Sequence, residues 1–198
     1  MEKCNYGYIN REKRKKLLIT LLYAVIGVAI FFTGYFLNGK TKSNIFTVIA
    51  ILLVLPAAKH FVAFIVLAPF RTLAQSEHDR LVASFSERDI VLSDYVFTSA
   101  EKVMGLHCLV LSDGNVFGLT ANEKQDIDYI NHYLKEGVRK LSPECRVKIV
   151  KDEKEFYRLY QKKTQVSITD NQKQAVEDWL RALACLLYTF PSPRDPKT

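Results

Sequence analysis

Lys59 and His60 are adjacent ionisable side chains inside a long apolar stretch, and a charge at membrane depth is the kind of group that relays protons or senses ions. No acid stands between residues 17 and 70 to complete such a relay. The Lys59 stem is therefore expected to run along its helix and carry the ammonium to the headgroups. His107 and Cys108 offer a base and a thiol nucleophile, but neighbours on an extended strand point to opposite faces. Asp94 interrupts an apolar strand and reads as a solvated or capped position. Asp126 and Asp128 fall in the first turn of a helix, where negative charge is favoured. Cys4, Cys108 and Cys145 lack a C-x-x-C spacing, which supports neither a zinc site nor a disulfide framework. Phosphate-loop, dinucleotide, zinc-protease and hydrolase-elbow motifs are all absent, so no cofactor is expected.

The elements that would position these groups begin with a membrane hairpin. Residues 1–16 form a basic N-terminus, and Leu17 to Leu37 is free of charge for about 31 Å of helix, enough to cross a hydrocarbon core. A polar loop at 38–44 leads to a second span over 45–70, in which Pro56 predicts a kink. Lys and Arg flank the hairpin's two ends more densely than its loop, which places both termini in the cytoplasm, most simply at the plasma membrane. Thr20, Ala24, Gly27 and Gly34, with Thr47, Ala50 and Ala57, give each span a stripe of small residues through which helices can pair, within the hairpin or between copies in a homo-oligomer.

Residues 71–184 read as a small cytoplasmic α/β domain. A helix leaves the membrane around Leu73 to Phe85, and Ile90 to Thr98 is a strand rich in β-branched and aromatic residues. His107 to Leu111 and Val116 to Thr120 flank an Asp113-Gly114 turn, the strongest hairpin signal in the chain. Asn122 with Gln125 predicts a capping box for a helix bearing Ile127, Ile130, Leu134 and Val138, with Gly137 near its end. Arg146 to Val150 alternates as a strand, and Asp152 with Glu155 caps the next helix. Val166 to Ile168 suggests a short strand, and Thr169 with Gln172 caps a last helix carrying Val176, Trp179, Leu180 and Leu183. The aromatic residues of this part match core positions. The fold class is thus α+β: a two-helix transmembrane hairpin followed by an αβββαβα domain.

Residues 185–195 resemble, apart from Phe190, the translation of a transposon-based sequencing adapter. The 185–198 tail is accordingly set aside, and the natural chain is expected to continue past Ala184.

The order helix, three strands, helix, strand, helix over residues 74 to 163 resembles the core of the restriction-endonuclease-like PD-(D/E)xK family, some members of which are membrane-tethered. That resemblance implies a divalent-metal site built from an Asp on the second strand and a Glu-x-Lys on the third. The nearest groups here are Asp113, in the turn, and Glu123 and Lys124, beyond the third strand, so the resemblance implies a degenerate binding member more readily than an active nuclease.

Charge sharpens the choice of partner. Residues 1–16 carry six basic groups against two acids, whereas residues 71–184 carry 17 basic and 18 acidic groups. The formal net charge of +7 therefore sits at the membrane end, which points to anionic lipid headgroups and away from nucleic acid. The sequence reads as an integral membrane protein whose cytoplasmic domain serves binding, scaffolding or regulation of a protein partner it does not identify. A membrane-tethered nuclease and a small transporter or sensor subunit are the alternatives.

Overall fold

The computed structural model describes residues 4–37, 45–99, 101–122 and 124–185. The chain forms two compact units, one comprising Ile9–Pro69 and the other the residues on either side of it.

The first unit is helical. Helix α1 (Tyr8–Leu37) is followed by α2 (Ile45–Leu52) and α3 (Val54–Leu67). The most apolar 18-residue stretches of α1 and of the combined Ile45–Leu67 segment have mean hydropathies of 2.4 and 2.3, and each segment is long and apolar enough to cross a membrane. Thr20 and Thr33 donate their hydroxyls to the carbonyls four residues back, so neither leaves a polar group unsatisfied on an apolar helix. Proline places both irregularities of the second segment. Pro56 has no N–H for the Leu52 carbonyl, and the helix breaks at Leu53 between α2 and α3. Pro69 likewise cannot extend α3, which stops at Leu67 rather than continuing to residue 70. The Lys13 ammonium donates to the Ala68 carbonyl at 3.0 Å, placing a cation at the negative end of α3.

The second unit is a sheet between two helical layers. Strands β1 (Ile90–Thr98), β2 (Val103–Ser112), β3 (Asn115–Thr120) and β4 (Arg146–Val150) lie in the order β1-β2-β3-β4. The first two pairings are antiparallel, and β3 with β4 is parallel. Helices α5 (Ile127–Leu141) and α7 (Asp170–Cys185) contribute Ile130, Leu134, Val138, Val176 and Leu180 to a core with Leu92, Phe97, Leu109 and Leu111. On the other face, α4 (Gln75–Ala83) and α6 (Glu153–Gln161) bring Leu81 and Phe156 against Cys108, Val110, Phe117 and Leu119. The β2–β3 connection is the expected tight turn, with Asp113 at φ 46° and Gly114 at φ 71°. Both central residues have positive φ, the conformation whose twist matches that of the strands.

Several expectations need correction. Part of the basic N-terminus is structured: Cys4 is buried and its carbonyl accepts from the Ser93 N–H, while α1 is helical from Tyr8 rather than from Leu17. Phe70 leaves the apolar helix and packs on β2 at Gly105, where a Cβ would overlap its ring. Val166 to Ile168 is not a strand; the Val166 N–H donates to the Asp113 carbonyl and the segment packs over the turn at Gly114. Gly137 does lie near the C-terminus of α5, as expected, and there the Trp179 ring occupies the place of a side chain. Asp126, not Asn122, caps α5, accepting from the Tyr129 N–H. The Gln125 amide instead pairs with both backbone groups of Gly105, at 2.8 Å each. By contrast, Thr169 and Gln172 do meet at the start of α7 through the Gln172 carbonyl oxygen. Residues 186–198, the greater part of the adapter-like tail, lie outside the described residues.

Candidate functional site

The apolar pattern of β1 runs Ile90, Leu92, then Tyr95, Phe97, all facing the same core. A regular strand alternates strictly, so the step of three between Leu92 and Tyr95 needs an extra residue. Asp94 supplies it by turning to φ 49°. Strand β2 makes the same phase change at the same level: Met104 and Leu106 share a face with Leu109 and Leu111, and His107 is the residue by which the β2–β3 register shifts. Ser93 pairs with Cys108 and Tyr95 with Leu106, which leaves Asp94 and His107 opposite one another at a matched irregularity.

Polar groups gather around this point. Asp94 is buried, not solvated, and its carboxylate accepts from the Thr72 hydroxyl at 2.8 Å. Nε2 of His78 and the Ser93 hydroxyl lie 2.9 Å apart, and the Tyr6 ring packs on the His78 ring with centroids 4.2 Å apart. The Tyr6 hydroxyl donates to the Leu73 carbonyl. Burial lowers the His107 imidazole below its ordinary value, against the opposing pull of the Glu77 carboxylate and a hydrogen bond with the Arg71 backbone. Its Nδ1 is buried without a hydrogen-bond partner.

A hydroxyl held against an imidazole is the arrangement that activates a serine nucleophile. Ser93 is 5% exposed, however, and its backbone is bonded to Cys4, so no acyl substrate reaches it in this conformation. What the arrangement accomplishes is attachment. Cys4 and Tyr6, on one flank of the apolar hairpin, and Phe70 and Thr72, on the other, are fastened to adjoining positions of β1, β2 and α4, and the Tyr6–Leu73 bond joins the two flanks to each other. Sequence reasoning singled out Asp94 but missed its partners, since nothing in the spacing of Tyr6, Thr72 and His78 brings them together before the chain folds.

The other candidate residues are dispersed. Asp113 and Lys124 lie at opposite ends of the six-residue β3, on the order of 20 Å apart along the strand, and Glu123 falls outside the described residues. Asp113 pairs with Lys163 at 3.1 Å, and Lys163 also reaches Asp89 at 3.9 Å. Cys108 is fully buried, which raises its thiol to about 12 and removes its thiolate at neutral pH. In the helical unit, His60 stacks on Tyr23 with centroids 6.0 Å apart, while Lys59 is exposed on α3. Among the described residues, no three His, Cys, Asp or Glu side chains form a group able to hold a metal ion. Comparison with family models, curated proteins and solved structures finds no match to this chain.

Proposed function

We propose that the protein is a two-span integral membrane protein with both termini in the cytoplasm of the cell, anchored at the plasma membrane, whose α+β domain serves binding, scaffolding or regulation. The observation that carries this reading is that both ends of the apolar hairpin enter one compact unit: the Cys4 carbonyl bonds to Ser93, and the Tyr6 hydroxyl bonds to Leu73. A hairpin whose two ends join one folded domain has both ends on one side of the bilayer. The excess of Lys and Arg on those ends selects the cytoplasmic side. Reporter fusions after Lys40 and after Phe70 test this. An enzyme active only outside the cell should work after Lys40 and fail after Phe70; the reverse pattern overturns the orientation.

The sheet order lends weight to a second reading. A four-stranded sheet in order 1-2-3-4, with β2 antiparallel to its neighbours and β3 parallel to β4, is compatible with the restriction-endonuclease-like core. The separation of Asp113 from Lys124 favours a degenerate relative over an active nuclease. Divalent-metal-dependent cleavage of DNA or RNA by the full chain, abolished by Asp113→Ala or Glu123→Ala, would reverse that preference.

A further inference from the structure

The small-residue stripes of the two apolar segments face each other across a groove of about 590 Å³. Ala24, Gly27 and Phe31 line one wall and Thr47, Ala50 and Ala57 the other, with Tyr23 at one end. The helices meet where a Cβ on Gly27 would stand 3.8 Å from the Ala50 carbonyl oxygen, an ordinary contact. Around that point the walls stand apart, because Ala and Thr side chains are too short to fill the space. An empty groove of this size forfeits dispersion contacts along both walls, and hydrocarbon is the material that restores them at this depth.

The face of α1 that lines the groove continues toward its N-terminus through Thr20 to Lys16, at helical spacings of three to four residues. Lys16 precedes Gly27 by eleven residues, about 16 Å of helix, close to half of a hydrocarbon core about 30 Å thick. A chain anchored by its headgroup at the level of Lys16 therefore reaches the middle of the groove. Charge selects the headgroup. Across residues 9–69 the only acid is Glu12, which lies 3.8 Å from the Lys16 ammonium, against Arg11, Lys13, Arg14, Lys15 and Lys16 at the same end.

We propose that the groove between α1 and the α2–α3 segment holds one acyl chain of an anionic phospholipid whose headgroup is bound at the level of Lys16. This rests on the membrane reading above.

The test takes the full chain from bacterial membranes. Alkaline carbonate extraction first establishes whether it is integral; release into the wash would sink the membrane reading itself. Native mass spectrometry of the purified chain then counts bound phosphatidylglycerol and phosphatidylethanolamine. The wild type should retain about one phosphatidylglycerol per chain. The groove-filling pair Ala24→Leu with Ala57→Leu should reduce that occupancy roughly tenfold, while Val25→Leu on an exposed face leaves it unchanged. Replacing the exposed Arg14 and Lys15 together with Lys16 by Gln should abolish the preference for phosphatidylglycerol over phosphatidylethanolamine. Benzoylphenylalanine placed at Val28, which lines the groove, provides a readout independent of whether the filled variant folds: it should crosslink to phosphatidylglycerol in preference to phosphatidylethanolamine, whereas at Val25, on an exposed face, it should take the two in proportion to their abundance. Equal lipid in the wild-type and filled chains, or a chain-to-chain crosslink from position 28 in place of a lipid adduct, overturns the proposal; the latter would assign the groove to a second copy.

Discussion

The side-chain amide of Asn131 on α5 pairs with both backbone groups of Ile149 on β4: Ile149 N–H donates to its oxygen at 2.7 Å, and its NH₂ donates to the Ile149 carbonyl at 3.3 Å. Among the described residues strand β4 has a sheet neighbour only in β3, so its outer edge would otherwise present unpaired groups for another strand to join. Asn131 stands in for that strand at one position.

Replacing Asn131 with Ala should therefore destabilise the domain by about 1–3 kcal/mol, the penalty for leaving a buried donor and acceptor unpaired. Asn131→Asp should recover part of the loss, since a carboxylate still accepts from the Ile149 N–H but repels its carbonyl. Urea denaturation of the detergent-solubilised chain, followed through Trp179 fluorescence, reads both variants. Equal stability of Asn131→Ala and the wild type would show that water satisfies Ile149.

Asp94 is the position where sequence and backbone are most tightly bound together. Its φ of 49° is accessible to Asn and Gly but strained for a β-branched residue. Asp94→Asn keeps an acceptor for Thr72 and should change the melting temperature little, whereas Asp94→Val should lower stability by at least about 2 kcal/mol through strain and the lost hydrogen bond. A tolerated valine would contradict the matched irregularity as the reason for this conformation.

Acid should weaken the contact between the β1 entrance and the α6 exit. Burial opposes ionisation of Asp89, but hydrogen bonds from the Ser112 and Tyr160 hydroxyls and the Ser86 N–H, with the Lys163 ammonium nearby, hold its carboxyl below the usual range. A carboxyl whose folded pKa is depressed stabilises the fold fully above the ordinary Asp value of about 3.9 and loses that contribution as pH falls through the lower folded value. Melting temperatures measured from pH 7 to pH 2.5 should thus drop more steeply below about pH 4 for the wild type than for Asp89→Asn. Parallel curves would remove Asp89 from the acid transition.

The thiols should be silent in the folded protein. Cys4, Cys108 and Cys145 are buried, and burial alone moves the Cys108 thiol to about 12. In a Cys185→Ser background, a maleimide at pH 7 should label none of the three until denaturant is added. Rapid labelling of Cys108 in the native state would show that the α4–α6 side of the sheet opens.

Much of this architecture is legible locally. An Asp-Gly pair between two β-branched runs specifies a tight hairpin because these residues readily adopt the positive φ that matches the strand twist, and the turn forms at Asp113 and Gly114. A charge-free stretch specifies a long apolar helix, and Pro56 and Pro69 specify where the second helical segment breaks and stops. The αβββαβ element order and the core positions of Ile130, Leu134, Val138, Val176 and Leu180 likewise follow from periodicity, because one-sided burial imposes a period of 3.6 or 2 on the chain.

Contacts between distant segments were decided by the tertiary structure alone. Gln125 has the spacing of a capping-box residue, yet Gly105 lies close enough to offer its amide two backbone partners at once. Cys4 and Tyr6 lie in the basic N-terminal stretch, yet the Cys4 carbonyl bonds to β1 at Ser93 and the Tyr6 ring packs on His78. The step of three from Leu92 to Tyr95 is written in the sequence, but only the pairing with β2, which slips in phase at His107, shows that Asp94 is turned out of the strand rather than exposed on it. Period and turn chemistry act within a few residues and can be read from residue types. A hydrogen bond between residues some seventy positions apart depends on which surfaces the folded sheet brings together, and no local preference encodes that.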